Sequence, residues 1–499
     1  MAHSFKIPYT RLIQIDKAST TPIYRQIANQ FSNAIQRNII PIQTKLPGSR
    51  KLAELLQVNR NTVIAAFEEL IAQGWLISYP NQGTFVHQSK YQVSSKSHAF
   101  PLTTGYTFVT DNRLDIPNHQ HSCTYFFTDG TPDIRLGLQE EIAAVFSATL
   151  KRKQQIKYFD PYTKKNQISY KKQVVNYLNL TRNIQATPVH LLTTSSSTTA
   201  LYLCAQLFLK AGDHVAISEY SYYGSNVILQ KTGAHLHTIP QDEEGLNVAA
   251  LEKRCQQIPI RLMYLTTNNS YPTTDSLSTQ RRVKLLQLAH QYDFIIIEDD
   301  PNFDFYYSQN PSLPLISNDP NGRVIYISTI GKSLASDFTR GILLAPENAV
   351  FELEKYKALM EKNKDYFTEH TLTELIEEGT LFRHQVKVNK IYKERRDYFC
   401  KQLASLFGDA IDFTFPEGDL ALWITFTQPV NLMRIRTFCL LNDLYIPTTL
   451  LYQSKKLTAI RLGFAHLTLD EIEGCLVIFH EAYLEAIDGD GLEVKGYGL

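Results

Sequence analysis

Two folded parts of different class are predicted: a small N-terminal winged helix-turn-helix, mostly α, and a large α/β domain that ends in a smaller α+β unit. Three observations carry this. Residues 46–75 read as two short amphipathic helices around a tight turn. From Gly130 onward, short β-branched runs alternate with helical stretches, the pattern of a mostly parallel sheet covered on both faces. Charge is also divided. Residues 1–90 hold ten Lys and Arg against four Asp and Glu, a local +6, which leaves −5 for residues 91–499 in a chain of net charge +1. A basic small domain on an acidic large one points to a polyanion partner for the first part only. The expected boundaries are 1–87 for the helix-turn-helix, 88–125 for a linker, 126–345 for the large domain and 346–499 for a C-terminal helix and small subdomain.

In the first domain, Ile23, Ile27, Phe31 and Ile35 recur every four residues, so a helix is expected from Pro22 to about Arg37, with Pro22 in its first turn. Ser49 is expected to cap a short helix through Leu56, and Gln57-Val58 to form the tight turn. Asn59 then caps a second helix to about Ala72, with Val63, Phe67, Leu70 and Ile71 on its apolar face and Gly74 ending it. That helix opens with Arg60, Asn61 and Thr62, residue types that reach base edges and phosphates in a major groove. WLISYP and GTFV flank Asn81–Gly83 as a small hairpin, the wing. Charge, helix start and wing together favour double-stranded DNA as partner over a protein-binding or spacer domain.

Residues 88–125 are rich in Ser, Thr, Asn, Gln and His without a period, which makes them a linker, docked in part on the large domain. FFTDGTPD, residues 126–133, marks entry to the large domain. Its most informative stretch is FIIIEDDP followed by VIYISTIGKS, residues 294–333. Each half reads as a buried strand ending in a polar turn. The first turn offers Asp299 and Asp300; the second offers Ser328, Thr329 and Lys332. Ligands bind at strand ends in open α/β sheets, and a carboxylate beside a lysine there suits pyridoxal phosphate, the carboxylate on the pyridine nitrogen and the lysine as Schiff-base partner. An ordinary αβ segment with polar turns is the competing reading of that stretch alone. After about residue 345 comes a long charged helical stretch, of a kind that normally forms a solvated face or dimer packing. A smaller unit with strands LALWITF and AIRLGF follows it.

Six cysteines lie scattered without a CxxC pair, as buried thiols in a reducing compartment would. No run approaches the roughly 18 apolar residues of a membrane span, and MAHSFKIPYT lacks a signal-peptide core. A cytoplasmic protein with no metal site is expected.

The run from Leu46 to Val86 resembles the GntR-type winged helix-turn-helix of bacterial regulators, with Gly48 where that family often has Ser. The resemblance implies DNA contacts by Arg50, Arg60, Asn61 and Thr62 and a wing tip at Gly83. The large domain resembles fold-type I pyridoxal phosphate enzymes of the aspartate aminotransferase fold. Over about residues 20–485 the chain is similar to the MocR subfamily of GntR regulators. For the cofactor, the resemblance implies Lys332 as Schiff-base lysine, Thr329 as phosphate ligand, Asp299 facing the pyridine nitrogen and Tyr222 stacking on the ring. It further implies a phosphate-binding turn of Ser196, Ser197 and Thr198 at a helix start, Arg461 as bidentate partner of an effector or substrate carboxylate, and Tyr158 reaching the phosphate of a second subunit in a homodimer.

Several positions depart from that pattern. Ser196 stands for the glycine of the phosphate turn, and Pro301 and Asn302 stand where a tyrosine commonly bonds the cofactor's phenolic oxygen. The HQYPTG-like segment is NNSYPTT, so its histidine is Asn269 and its glycine Thr274. The arginine expected seven positions after the lysine is Thr339; Arg340 comes one later, directly before Gly341, and although a shift of one on a strand turns a side chain to the other face, Arg340 is still counted among the phosphate ligands, reached by a different local path. The resulting expectation is a transcription regulator whose large domain senses pyridoxal phosphate or an amino compound, closing so as to reorient two DNA-binding modules. An active aminotransferase carrying a DNA-binding module, and a regulator whose large domain has become a dimer scaffold, are the alternatives.

Overall fold

The computed structural model describes residues 8–80, 82–87, 102–115, 121–151, 165–308, 311–335, 338–361 and 365–488. Contacts divide the chain into two compact units, Met1–Thr110 and Asp111–Leu499.

In the first unit the helices Ile23–Gln36, Ser49–Leu56 and Arg60–Ala72 pack on one core with the antiparallel strands Leu76–Tyr79 and Gly83–Val86. Phe31 meets Phe67 edge to face, with centroids 6.3 Å apart. Gln57 takes the left-handed backbone, φ +52°, that turns one helix into the next. The Asn59 side chain accepts from the backbone N–H of Asn61 and caps the second helix. Three expectations shift. Pro22 sits one place before the first helical residue. Gly48 rather than Ser49 holds the cap position, and no side chain caps that helix; Ser49 is its first residue. Ile71 is 40% exposed, because Val63, Ala66 and Leu70 centre the buried stripe and Ile71 falls at its edge. Asn81, in the hairpin turn, lies outside the described residues.

The second unit is built on a seven-stranded sheet in the spatial order Leu191–Thr194, Arg340–Leu344, Val324–Ile330, Ile295–Asp299, Ile260–Leu265, His214–Ser218, His235–Ile239. Arg340–Leu344 runs antiparallel to both neighbours, and the other pairings are parallel. Alternation sorts the strand residues between two layers. Ile297 packs toward the helix Ser197–Phe208, and Ile296 toward Leu285 and Leu288 of the opposite helix Thr279–Gln291. Leu191–Thr194 and Arg340–Leu344 escape a reading by β-branched runs, since neither segment contains more than one isoleucine and the second begins Arg-Gly.

The long charged stretch is two helices, Tyr366–Glu377 and Thr380–Phe407, broken at Gly379 with φ +70°. It is not mainly a solvated face: Val388, Tyr392, Phe399, Leu403 and Phe407 recur at spacings of four and seven residues and enter the core of the small subdomain. There they meet the antiparallel sheet Ile411–Asp412, Ala421–Phe426, Thr458–Gly463, Leu451–Gln453 and the helix Leu469–Asp488. Within the expected linker, Asp111 pairs with Lys231 at 2.6 Å, and the Arg113 carbonyl accepts from the Tyr223 hydroxyl, so this end lies on the large unit. Five of the six cysteines are buried and all are free. Among the described residues no helix is long and apolar enough to cross a membrane, and no cluster of three potential metal ligands occurs.

Candidate functional site

The parallel strands deliver their carboxyl ends to one cavity of about 280 Å³. Leu265 and Ser218 end two of them, Asp299 ends a third, and Ser197 and Thr198 open the helix that follows Leu191–Thr194. Tyr222, Lys332, Arg461 and Asp129 complete the wall. Of the residues singled out from sequence, the fold therefore brings Ser197, Thr198, Tyr222, Asp299, Lys332 and Arg461 together.

Asp299 is the most exacting of these. One carboxylate oxygen accepts from the Tyr264 hydroxyl at 2.6 Å, and Tyr264 also bonds Ser225 at 2.8 Å. The other oxygen, Oδ1, is buried with no hydrogen-bond partner. Burial raises the carboxyl to about 6, against the opposing Tyr264 bond and the charge of Lys332. Asp300, its sequence neighbour, points away into a buried pair with Arg182 at 2.8 Å and a bond from Tyr326 at 3.1 Å. Of the two carboxylates in the turn, one is structural and one faces the cavity.

Lys332 follows Gly331, whose φ of +90° turns the chain out of the strand Val324–Ile330. Its Nζ donates to Asn302 Oδ1 at 2.7 Å and to the Pro301 carbonyl at 3.3 Å. Burial holds the amine below the usual lysine range, opposed by Asp419 and Asp299. Asn302 also donates to Asp419 at 2.7 Å, so the residue standing where a tyrosine was expected positions the lysine and ties it to the small subdomain.

Ser196 caps the helix Ser197–Phe208, its hydroxyl accepting from the Thr199 N–H at 3.1 Å. The first backbone N–H groups of that helix have no partner along the helix, and Ser196 satisfies that of Thr199. Thr329 and Arg340 do not line the cavity. Arg340 is spent on a salt bridge to Asp365 and a bond to its own neighbour's carbonyl, which corrects its expected place in the phosphate cradle. The physical reason is the register: Arg340 opens its strand opposite Ile330, and Gly341 falls opposite Thr329. Thr274 takes φ +62°, a left-handed backbone that favours the glycine the HQYPTG-like pattern carries there, and Asn269 has φ +48°.

Arg461 also differs from expectation. Its Nε donates to Asp129 at 2.9 Å, Nη2 to Asp419 at 2.7 Å and Nη1 to the Pro272 carbonyl at 2.9 Å, and its guanidinium carbon lies 5.0 Å from the Tyr271 ring centroid. Burial would lower this arginine, but Asp419 and Asp129 outweigh it and raise it. The expected clamp for a ligand carboxylate is occupied by the protein's own carboxylates. Tyr264, Asn302, Asp129 and Asp419 were not singled out for these roles from sequence. A lone hydroxyl within the apolar run RLMYL is the only signal for Tyr264, and Asp419, at φ +72°, gives none.

On the first unit, Arg50, Arg60 and Asn61 are exposed and Thr62 is half-buried. Arg60 donates to Ser49 at 3.4 Å, and among the described residues neither Arg50 nor Arg60 has a salt bridge. Gly83, φ +111°, opens the second wing strand opposite Tyr79. A Cβ there would stand 3.0 Å from Lys45, which itself lies over the Phe85 ring at 5.8 Å. Tyr158 lies outside the described residues.

Fold and cavity together define the class: an aminotransferase-type domain joined to a GntR-type helix-turn-helix. Residues 136–476 match the family model for aminotransferase class I and II, and residues 23–86 that for bacterial regulatory proteins of the gntR family. The chain belongs to the aminotransferase class I and II family, in the two-module layout of the MocR subfamily. It is 25% identical over 466 residues to the uncharacterized HTH-type transcriptional regulator YisV of Bacillus subtilis, covering 92% of this chain and 96% of that one. It is 24% identical to the probable rhizopine catabolism regulatory protein MocR of Rhizobium meliloti, over 84% and 85% of the two chains. Among solved structures, kynurenine aminotransferase of Pyrococcus horikoshii shares the fold with a TM-score of 0.67 at 22% identity, covering 76% of this chain and 97% of that one.

Proposed function

We propose that this protein is a DNA-binding transcriptional regulator whose large unit binds pyridoxal phosphate and senses the cofactor or an amine-bearing effector. The observation that carries the cofactor reading is the orphaned Asp299 Oδ1, a buried acceptor without a hydrogen-bond partner on a residue that lines the same cavity as Lys332. A buried polar atom without a partner is rare and costs on the order of 1–3 kcal/mol. A protonated pyridine nitrogen would satisfy it. Ser197 and Thr198 at the helix start would hold the phosphate, Tyr222 would cover the ring and Lys332 would bond the aldehyde carbon. When bound, pyridoxal phosphate supplies that aldehyde and an electron sink. Tyr264 keeps Asp299 oriented, and Asn302 holds the Lys332 amine toward the cavity. The lowered lysine favours the neutral amine, the form that reacts with a carbonyl.

Turnover as an aminotransferase is disfavoured by the same geometry. Arg461 is committed to Asp129 and Asp419, and Arg340 to Asp365. A cradle without Arg340 leaves the phosphate to the helix start, so moderate cofactor affinity is expected. The test is an absorbance titration of the full chain with pyridoxal phosphate beside Lys332→Ala. The expected result is a saturating visible band in the wild type that the variant lacks. No band in either protein would turn the large unit into a scaffold and remove the sensing reading.

On the first unit, exposed Arg50 and Arg60 beside Asn61 and Thr62 support recognition of double-stranded DNA through the helix Arg60–Ala72. The cytoplasm and a homodimer carrying two such helices fit this reading.

A further inference from the structure

From this cavity we infer that the effector is a primary amine without a carboxylate, with diamines preferred, and not an amino acid. The inference rests on the cofactor reading above and deepens it. The group that would receive a ligand carboxylate is already paired. Arg461, with 2% of its side chain exposed, stands between Asp129 and Asp419, which match its positive charge. Asp419 is fixed from every side: Oδ2 accepts from Arg461, and Oδ1 accepts from Asn302 at 2.7 Å and from the Leu420 N–H at 2.6 Å. For a ligand carboxylate to reach the guanidinium it must displace Asp419 or Asp129, and either move leaves a carboxylate unpaired in a poorly hydrated site.

Asp129 accepts from Arg461 through Oδ1 and is still open to solvent. Its side chain is 41% exposed and lines the same cavity as Lys332. It therefore offers an acceptor where an amino acid needs a donor. The remaining surface of that side is aromatic. Tyr220, Tyr222 and Tyr271 line the cavity, Tyr222 and Tyr271 meet at right angles with centroids 5.5 Å apart, and Trp423 and Tyr452 back them. With Tyr222 assigned to the cofactor ring and the Tyr271 face taken by Arg461, Tyr220 is the lining tyrosine left to share the cavity with Asp129, and an aromatic ring together with a carboxylate favours an ammonium group. A diamine would offer one amine to the Lys332 side of the cavity and a second to Asp129, both of which line it.

The test uses the full chain loaded with pyridoxal phosphate and reads the visible cofactor band against 1,4-diaminobutane, butylamine, 4-aminobutyrate and L-alanine. The expected order is half-saturation by the diamine at a concentration at least about tenfold below that for either amino acid, with butylamine between them. In Asp129→Asn the advantage of the diamine over 4-aminobutyrate falls by about tenfold, while Asp129→Glu keeps it. Equal or tighter response to the amino acids, or response to none of the four, overturns the inference and leaves the cofactor reading standing. Failure to form the band at all removes that reading and this inference with it.

Discussion

Asp299 sets the pH dependence of the cavity. Its carboxyl titrates at about 6 because it is buried, so the ionised form that a pyridinium needs is lost as pH falls through about 6. The sign for stability is opposite: a raised acid favours folding below the ordinary carboxylate range, and this contribution disappears as pH rises through about 6. Apparent affinity for pyridoxal phosphate should therefore drop by about tenfold between pH 7.5 and pH 5, read by absorbance titration at each pH. Asp299→Asn should bind at least about tenfold more weakly at pH 7.5 and lose the step near pH 6. A flat profile in the wild type would mean that the nitrogen does not meet this carboxylate. Lys332 and Asp299 were legible in the sequence because each lies at the end of a run whose periodicity announces a strand. The state of Arg461 was not. Its partners Asp129 and Asp419 lie 332 and 42 positions away, and no local pattern brings them together. Arg340 was flagged by its one-residue displacement, and the register supplied the physical consequence.

Helices and strands act on the site through close backbone approach. Gly341 sits where a Cβ would come within 2.3 Å of the Ser196 backbone. Gly341→Ala must push the start of the helix Ser197–Phe208 away from its strand, a steric change costing about 1–3 kcal/mol. The expected outcome is a lower melting temperature together with a weaker cofactor band. Normal cofactor affinity in a destabilised variant would separate the helix start from phosphate binding. In the other unit, Arg60→Ala should weaken specific operator binding by roughly 1–3 kcal/mol in a mobility-shift titration, since one phosphate or guanine contact is removed. Unchanged binding would show that a different helix reads the DNA. The helix-turn-helix was legible almost to the residue because its signals are local: Asn59 caps, and Val63, Phe67 and Leu70 make a stripe. The strand Arg340–Leu344 was illegible because its pairing with Leu191–Thr194 joins segments far apart in sequence, and Ile342 is its single β-branched residue. The helix Thr380–Phe407 was misjudged as surface because its charges are conspicuous and its buried stripe is spread over 28 residues.

Across the whole molecule, the division of charge assigns the two partners. The basic excess of residues 1–90 beside the acidic remainder favours polyanion contact at the N-terminal part. Operator affinity should then fall steeply and linearly in the logarithm of salt concentration, whereas diamine-induced changes at the cavity, which are partly desolvated, should respond far less. If the protein is a regulator, these two events are coupled, and the coupling obeys a strict symmetry. Whatever factor saturating pyridoxal phosphate applies to operator affinity, saturating operator must apply to cofactor affinity. A coupling of about 1–3 kcal/mol, or roughly 5- to 150-fold, is the expected range. Titrating the cofactor band with and without operator, and operator binding with and without cofactor, should return the same ratio. A ratio of one in both directions would mean that the cavity and the DNA-binding unit are energetically independent, and the large unit would then have to act by metabolism or dimerisation instead of sensing. Unequal ratios can arise only if a further equilibrium, such as dimer formation, intervenes, and repeating both titrations over a range of protein concentrations would expose it.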